Sequence, residues 1–322
     1  MTVAAREAVP LAEVEAVRER IRGAALRTPL VPLDADGAPA ELHLKLELLQ
    51  PIGSFKLRGA GNAIAHAGRE RVAKGLWTAS AGNMSQAVAW YARRLGVPCT
   101  VVVPETAAGV KVAATERLGA RVVRVPLADW LDVFRTRRFE GLDGFFVHAF
   151  DDPAVMAGNG TIGLELLEDL PDADAVVIPY GGGGLLCGIA SAVRALAPSC
   201  RVYACEVETG APLAASLEAG RPVEIEYRTS FVDGIGAPVV FEEVFELTRR
   251  LIDDSIVLSL DEVAAAVRLL AERGRVVAEG AGAASVAAAL SGRAGQGKMA
   301  CVVSGGNIAS EQLGTILRGE TP

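Results

Sequence analysis

The sequence predicts an α/β fold made of two parallel-sheet units, and three observations predict it. Short apolar strands alternate with helix-length segments: GLWTAS precedes AGNMSQAVAWYARRLG, CTVVVP precedes TAAGVKVAATERLG, and ARVVRVP follows. A second series repeats the pattern, with the helical DPAVMAGNGTIGLELLEDL, strand DAVVIPY, helix GGGLLCGIASAVRALA and strand RVYACEV. The composition agrees: of 322 residues 51% are apolar, only 5% are aromatic and 35 are glycine, which suits small-residue helices packed closely on sheets.

The elements follow in order. LAEVEAVRERIRGAAL places Leu11, Val14, Val17 and Ile21 at spacings of three and four, an amphipathic helix ending near Pro29. From ELHLKLELLQ short alternating strands begin, and the chain closes with helices SLDEVAAAVRLLAERG and GAASVAAALSG and strand MACVVSGG. The expected organisation is a large domain of residues 1–75 plus 151–322 with a small domain, 76–150, inserted into it, and a ligand in the cleft between them.

Charge and cysteine usage exclude several classes. The formal net charge is −7, from 39 acidic and 32 basic residues, and no basic stripe forms, which argues against nucleic acid as a partner. Cys99, Cys187, Cys200, Cys205 and Cys301 are odd in number and widely spaced, as free thiols of a cytoplasmic, reducing compartment are. No segment approaches about 18 uncharged apolar residues, so neither a membrane span nor a targeting segment is expected. His43, His66 and His148 lack ligand spacing and read as surface or satisfied core residues.

Four glycines, Gly181 to Gly184, stand between strand AVVIP with Tyr180 and a helix. Bare amides at a helix N-terminus favour an anion, so this is a candidate phosphate cradle. GNGTIG at 158–163 matches the dinucleotide fingerprint in letters but lacks a preceding strand, which argues against that reading. SAGNMSQ opens a helix after a strand and SGGN ends one, each placing a hydroxyl or amide group at a strand's carboxyl edge. No GxSxG elbow is present to anchor a hydrolytic triad. Lys56 lies in PIGSFKLRGA, between Phe55 and Leu57, an apolar setting that lowers an amine's pKa.

Taken in order, RTPL, GSFKLRGA, SAGNMSQAVA, VVVPETAAGVKVAATERLGA, DDPAVMAGNGTIGLEL, GGGGLLCGIA, VDGIG, EGAGAAS and SGGN resemble the fold-type II pyridoxal-phosphate enzymes, in the threonine/serine dehydratase and serine racemase branch. The resemblance runs from Arg27 to Asn307. It implies the tryptophan synthase β-like architecture, with pyridoxal 5′-phosphate in the interdomain cleft, covalently attached to Lys56, which is also the catalytic base. It further implies that Gly181, Gly182, Gly183, Gly184 and Leu185 hold the cofactor phosphate. Asn83 meets the ring hydroxyl, Ser304 the pyridine nitrogen, Gly234 borders the ring and Glu279 supports the far edge. Ser80, Ala81, Gly82, Asn83 and Met84 form the loop that takes the substrate carboxylate.

The activity implied is that of an ammonia-lyase converting L-threonine, L-serine or a related β-hydroxy amino acid to a 2-oxo acid and ammonia. β-Replacement or threonine-synthase chemistry, a serine racemase-like activity and a catalytically silent cofactor-binding protein are the alternatives. Met84 stands where these dehydratases usually carry histidine, and its soft side chain beside the carboxylate loop is expected to favour a bulkier substrate. The chain ends soon after SGGN, without room for an effector-binding domain. The resemblance also implies a homodimer and a structural divalent cation on Glu206 and the Gly210 carbonyl, although Pro212 stands where serine racemase has an aspartate.

Overall fold

The computed structural model describes residues 6–107 and 109–322 and contains, within them, ten strands: β1 (Leu30–Leu33), β2 (Glu41–Lys45), β3 (Leu76–Ala79), β4 (Cys99–Pro104), β5 (Arg121–Val125), β6 (Phe145–Phe146), β7 (Ala175–Pro179), β8 (Arg201–Val207), β9 (Asp254–Leu258) and β10 (Lys298–Val302). They form two sheets. One has the order β1-β2-β10-β7-β8-β9, parallel except for the antiparallel edge strand β1. The other, β5-β4-β3-β6, is wholly parallel and drawn from residues 76–146. The protein is a mixed α/β fold of parallel-sheet domains.

The central strands are buried on both faces, β7 along its full length, as strands covered by helices on both sides must be. One apolar cluster, with Val176, Ile178, Val202 and Ala204, packs against helices Pro153–Asp169 and Gly184–Leu196. The other face carries Val177, Cys205 and Cys301 against helices Leu260–Leu269 and Gly280–Leu290. A third cluster surrounds the four-stranded sheet.

The N-terminal helix spans Leu11–Arg20, shorter than its periodicity suggested, and buries Val14 and Val17. GNGTIG lies inside helix Pro153–Asp169, so it opens no nucleotide-binding turn. Its glycines serve close packing: a Cβ on Gly158 would come within 2.5 Å of the Arg58 carbonyl oxygen. Helix-on-helix contact at that distance requires hydrogen in place of a side chain. The approach binds helix Pro153–Asp169 to helix Lys56–Ala67, the helix that begins at the candidate lysine.

Candidate active site

The carboxyl ends of β3, β7 and β10 lead directly into Ser80, Gly181 and Ser304 respectively, after one to two residues, which brings three loops to one end of the parallel sheets. Ligands bind at that end in such folds because strand termini and helix N-termini converge there.

Lys56 starts its helix in the loop opposite these termini. Phe55 N–H donates to the Ser304 carbonyl at 3.0 Å and Gly306 N–H to the Gly53 carbonyl at 2.9 Å, so the lysine loop is laced to the segment after β10. The Lys56 ammonium donates to the Ala149 carbonyl at 2.6 Å and lies 5.0 Å from the Phe55 ring centroid. Burial lowers its pKa to about 8, against the opposing pull of the Glu279 carboxylate.

Asn83 opens helix Asn83–Leu95 after β3. Its Nδ2 donates to Glu279 Oε1 at 2.6 Å, while its Oδ1 accepts from Asn307 Nδ2 at 2.7 Å. Asn307 Nδ2 also donates to the Ile52 carbonyl at 2.9 Å. This chain of side chains joins the two sheets across the cleft. Glu279 is 4% exposed, and its Oε2 has no hydrogen-bond partner among the described residues. Burial raises its carboxyl to about 7, opposed by Lys111 and by the Asn83 bond.

The glycine loop leaves β7 and enters helix Gly184–Leu196, whose N-terminus has no side-chain cap among the described residues. A Cβ on Gly182 would overlap the Phe150 ring, and one on Gly184 would lie 2.5 Å from the Phe150 carbonyl oxygen. Gly183 has φ +84°, which glycine adopts without strain. Leu185 buries its side chain in the core and presents only its amide to the helix start. Gly234 closes the ring of contacts, since a Cβ there would lie 2.7 Å from Ala281 Cβ and 3.6 Å from Glu279 Oε1. Ser304 is buried, with its hydroxyl 3.5 Å from the Ala281 carbonyl.

Lys56, Ser80, Ala81, Gly82, Asn83, Gly181 to Gly184, Gly234, Glu279 and Ser304 are therefore gathered around one cleft. Three of the sequence-based expectations change. The Met84 side chain is 1% exposed in the core of the four-stranded sheet, because the first turn of its helix directs it inward, so it does not face the carboxylate loop. Glu206 acts as a helix cap. Its Oε1 accepts from Leu213 N–H at 2.9 Å, and its Oε2 from Ala214 N–H at 2.8 Å and Ser255 hydroxyl at 2.9 Å. Gly210 instead turns back to hydrogen-bond the Val207 carbonyl through its amide, and among the described residues no three His, Cys, Asp or Glu side chains gather as a metal site. These residues do not fit a divalent cation.

One supporting group was missed. Arg58, 1% exposed, uses its guanidinium on Glu47, Glu165, Thr161 and the Leu26 carbonyl at 2.7–3.1 Å. Lys45 completes the cluster through Glu165 and the Thr28 carbonyl, both at 2.6 Å. Two cations thus meet two carboxylates in the interior, two residues from Lys56. Helical geometry points positions i and i+2 to different faces, so the lysine can face the cleft while the arginine is held in the core. The adjacency of Lys56 and Arg58 in GSFKLRGA was the available signal.

The glycine cradle, the buried amine and the unpartnered Glu279 oxygen fit a phosphorylated aldehyde cofactor better than a hydrolytic or metal-dependent site. Residues 21–305 match the family described as pyridoxal-phosphate dependent enzymes. The chain belongs to that family. Within it, the chain is similar to the L-threonine ammonia-lyase of Thermotoga maritima, 38% identical over 96% of this chain and 78% of that protein. It is also similar to the catabolic L-threonine dehydratase of Staphylococcus aureus strain N315, 36% identical over 96% of this chain and 92% of that one. Among solved structures, maize serine racemase superposes with a TM-score of 0.89 at 30% identity, covering 97% of this chain and 98% of that one. A bacterial threonine deaminase, from the organism abbreviated T.th., superposes at 0.85 and 38% identity, covering 93% and 98%. As a member of this pyridoxal-phosphate enzyme family, the protein has an amine, an anion cradle and a buried acid in one cleft.

Proposed function

We propose that this enzyme is an ammonia-lyase for L-threonine, L-serine or a related β-hydroxy amino acid, releasing a 2-oxo acid and ammonia. The observation that carries the reading is the coincidence of Lys56, with its amine lowered to about 8, and the uncapped glycine loop at the other wall of the same cleft. The named relatives, threonine ammonia-lyases and dehydratases, support it.

Pyridoxal phosphate, when bound, supplies the electron sink that makes an amino acid's α-proton removable. Lys56 both anchors it and receives that proton on Nζ. The amides of Gly181 to Leu185 and the dipole of their helix hold the phosphate, and Asn83 orients the ring edge. Ser304 offers the ring nitrogen a neutral hydroxyl, which moderates the sink and favours β-elimination over transamination. The amides of the Ser80–Met84 loop receive the substrate carboxylate. Loss of the β-hydroxyl as water, followed by hydrolysis, accounts for the 2-oxo acid and ammonia.

A homodimer is part of the proposal, with exposed apolar Leu49, Val277 and Leu317 available for association. A cytoplasmic setting is supported by the five cysteines, all free and buried. No helix among the described residues is long and apolar enough to cross a membrane.

The test is borohydride reduction of the loaded enzyme with peptide mapping, together with 2-oxo acid assays over β-hydroxy amino acids. The adduct belongs on Lys56, and Lys56→Ala should lose at least about three orders of magnitude in turnover. An adduct elsewhere, or no 2-oxo acid from any of these substrates, overturns the reading.

A further inference from the structure

Between the candidate lysine and the glycine loop runs the turn His148–Asp151. Two of its groups touch the site directly. The Ala149 carbonyl accepts from Lys56 at 2.6 Å, and Phe150 fills the space that side chains at Gly182 and Gly184 would need. The conformation of this turn therefore sets both the direction of the amine and the shape of the cradle.

His148 holds the turn from beneath. It is 1% exposed, and its Nδ1 accepts from Phe150 N–H at 3.2 Å and Asp151 N–H at 2.8 Å. One ring nitrogen thus accepts from the amides two and three residues ahead, the pattern by which an Asn or Asp side chain fixes a turn. The ring is wedged among Phe134, Phe146 and Phe150, with centroids 4.7–5.8 Å away. It cannot swing aside without opening the core. Burial, reinforced by Arg137, lowers its pKa to about 3, so Nδ1 keeps its lone pair at neutral pH and the proton of the neutral ring sits on Nε2.

We propose that His148 is a positioning residue of the active site: its Nδ1 fixes the 148–151 turn so that the Ala149 carbonyl aims the Lys56 amine and Phe150 shapes the phosphate cradle. The proposal rests on the reading of Lys56 as the cofactor-binding amine. His148 itself touches neither cofactor nor substrate.

The test compares His148→Asn with His148→Gln. Asparagine places its amide oxygen where Nδ1 stands and can satisfy both turn amides, whereas the glutamine oxygen lies one bond too far out. The first readout needs no turnover: trace acetylation of cofactor-free protein at pH 7, with Lys56 labelling quantified by peptide mass spectrometry. A carbonyl acceptor favours the charged amine, so its loss raises the free, reactive fraction. His148→Gln should label Lys56 at least about threefold faster and His148→Asn within about 1.5-fold of the unmodified protein, by the same argument. In loaded enzyme, His148→Gln should lower kcat about tenfold with KM little changed, as misplacement of a catalytic amine does, and His148→Asn should restore it.

Equal labelling and kcat in the two variants, or a fold lost equally in both, would make His148 ordinary core and overturn the proposal. Borohydride mapping of the unmodified enzyme runs alongside. An adduct away from Lys56 overturns the reading of the site, whereas an adduct on Lys56 with unchanged labelling in His148→Gln overturns only the role of His148.

Discussion

Asn83 Nδ2 donates to Glu279 Oε1 at 2.6 Å, linking the helix that follows β3 to the start of helix Gly280–Leu290 across the cleft. The acceptor belongs to a carboxyl whose pKa burial has raised to about 7, so this link operates beside a group that titrates near neutrality. Its consequence is a pH dependence of the cofactor-free protein.

With a folded pKa near 7 and an ordinary value of 4.5, the native state holds the Glu279 proton more tightly than the unfolded chain. That contribution is fully present below about pH 4.5 and is lost as pH rises through about 7. Glu279→Gln keeps an acceptor for Asn83 and removes the titration. At pH 8 the variant should exceed the unmodified protein in stability by up to about 3 kcal/mol, the size of the shift, and at pH 4.5 the two should converge. Urea unfolding of cofactor-free protein at the two pH values measures this; a difference independent of pH contradicts it.

Arg58→Ala leaves the carboxylates of Glu47 and Glu165 in the interior with only Lys45 to balance them. Removal of one partner from a buried ion cluster costs about 3–5 kcal/mol. Arg58→Lys retains the charge but not the planar five-donor fork, and should recover only part of that loss. Denaturant midpoints of the three proteins decide it, and a loss below about 1 kcal/mol in Arg58→Ala would show that the cluster is not the anchor of helix Lys56–Ala67.

Gly182→Ala forces a methyl group into the Phe150 ring. Overpacking of this kind costs about 1–3 kcal/mol, and Phe150 must move to relieve it. Since Phe150 walls the glycine loop, cofactor affinity, followed by absorbance during titration, should fall about tenfold or more for a cost of that size. Unchanged affinity would place the phosphate elsewhere.

Ala81 carries a methyl group at the second position of the loop after β3, and a methyl can neither give nor take a proton. With Lys56 as the proton-transferring group on its side of the substrate, dehydration should proceed without racemisation. A chiral assay of L-serine with the unmodified enzyme checks this: pyruvate is expected without D-serine, and D-serine formed at a comparable rate would defeat it. Ala81→Ser should add a detectable racemase activity while leaving cofactor binding intact.

Much of this molecule is legible in one dimension. Alternating strands and helices read as parallel sheets because side-chain periodicity is a local property, carried by residues such as Val101 to Val103 and Val176 to Ile178 that are buried in the sheets as expected. The neighbours of GNGTIG in the chain suffice to reject it as a dinucleotide site, because the strand that such a motif needs is missing from its N-terminal side. β6, two residues long, and helices Leu127–Thr136 and Glu242–Leu251 were not anticipated. A two-residue strand carries no period at all, and it exists because Phe145 and Phe146 meet the edge of β3.

By itself, then, the sequence determined the fold class, the family and the short motifs whose chemistry is local: an amine in an apolar segment, glycines before a helix, a serine after a strand. Only the tertiary structure decided what depends on partners far along the chain. Met84 went into the core because helix phase directs its side chain inward. Glu206 became the cap of the helix beginning at Pro212, since the amides of Leu213 and Ala214 reached it first. Arg58 was tied to residues from 26 to 165, and His148, which looks like any buried histidine in the sequence, came to lie beneath the turn that faces Lys56. Such pairings arise from packing between elements distant in sequence, and no local pattern encodes them.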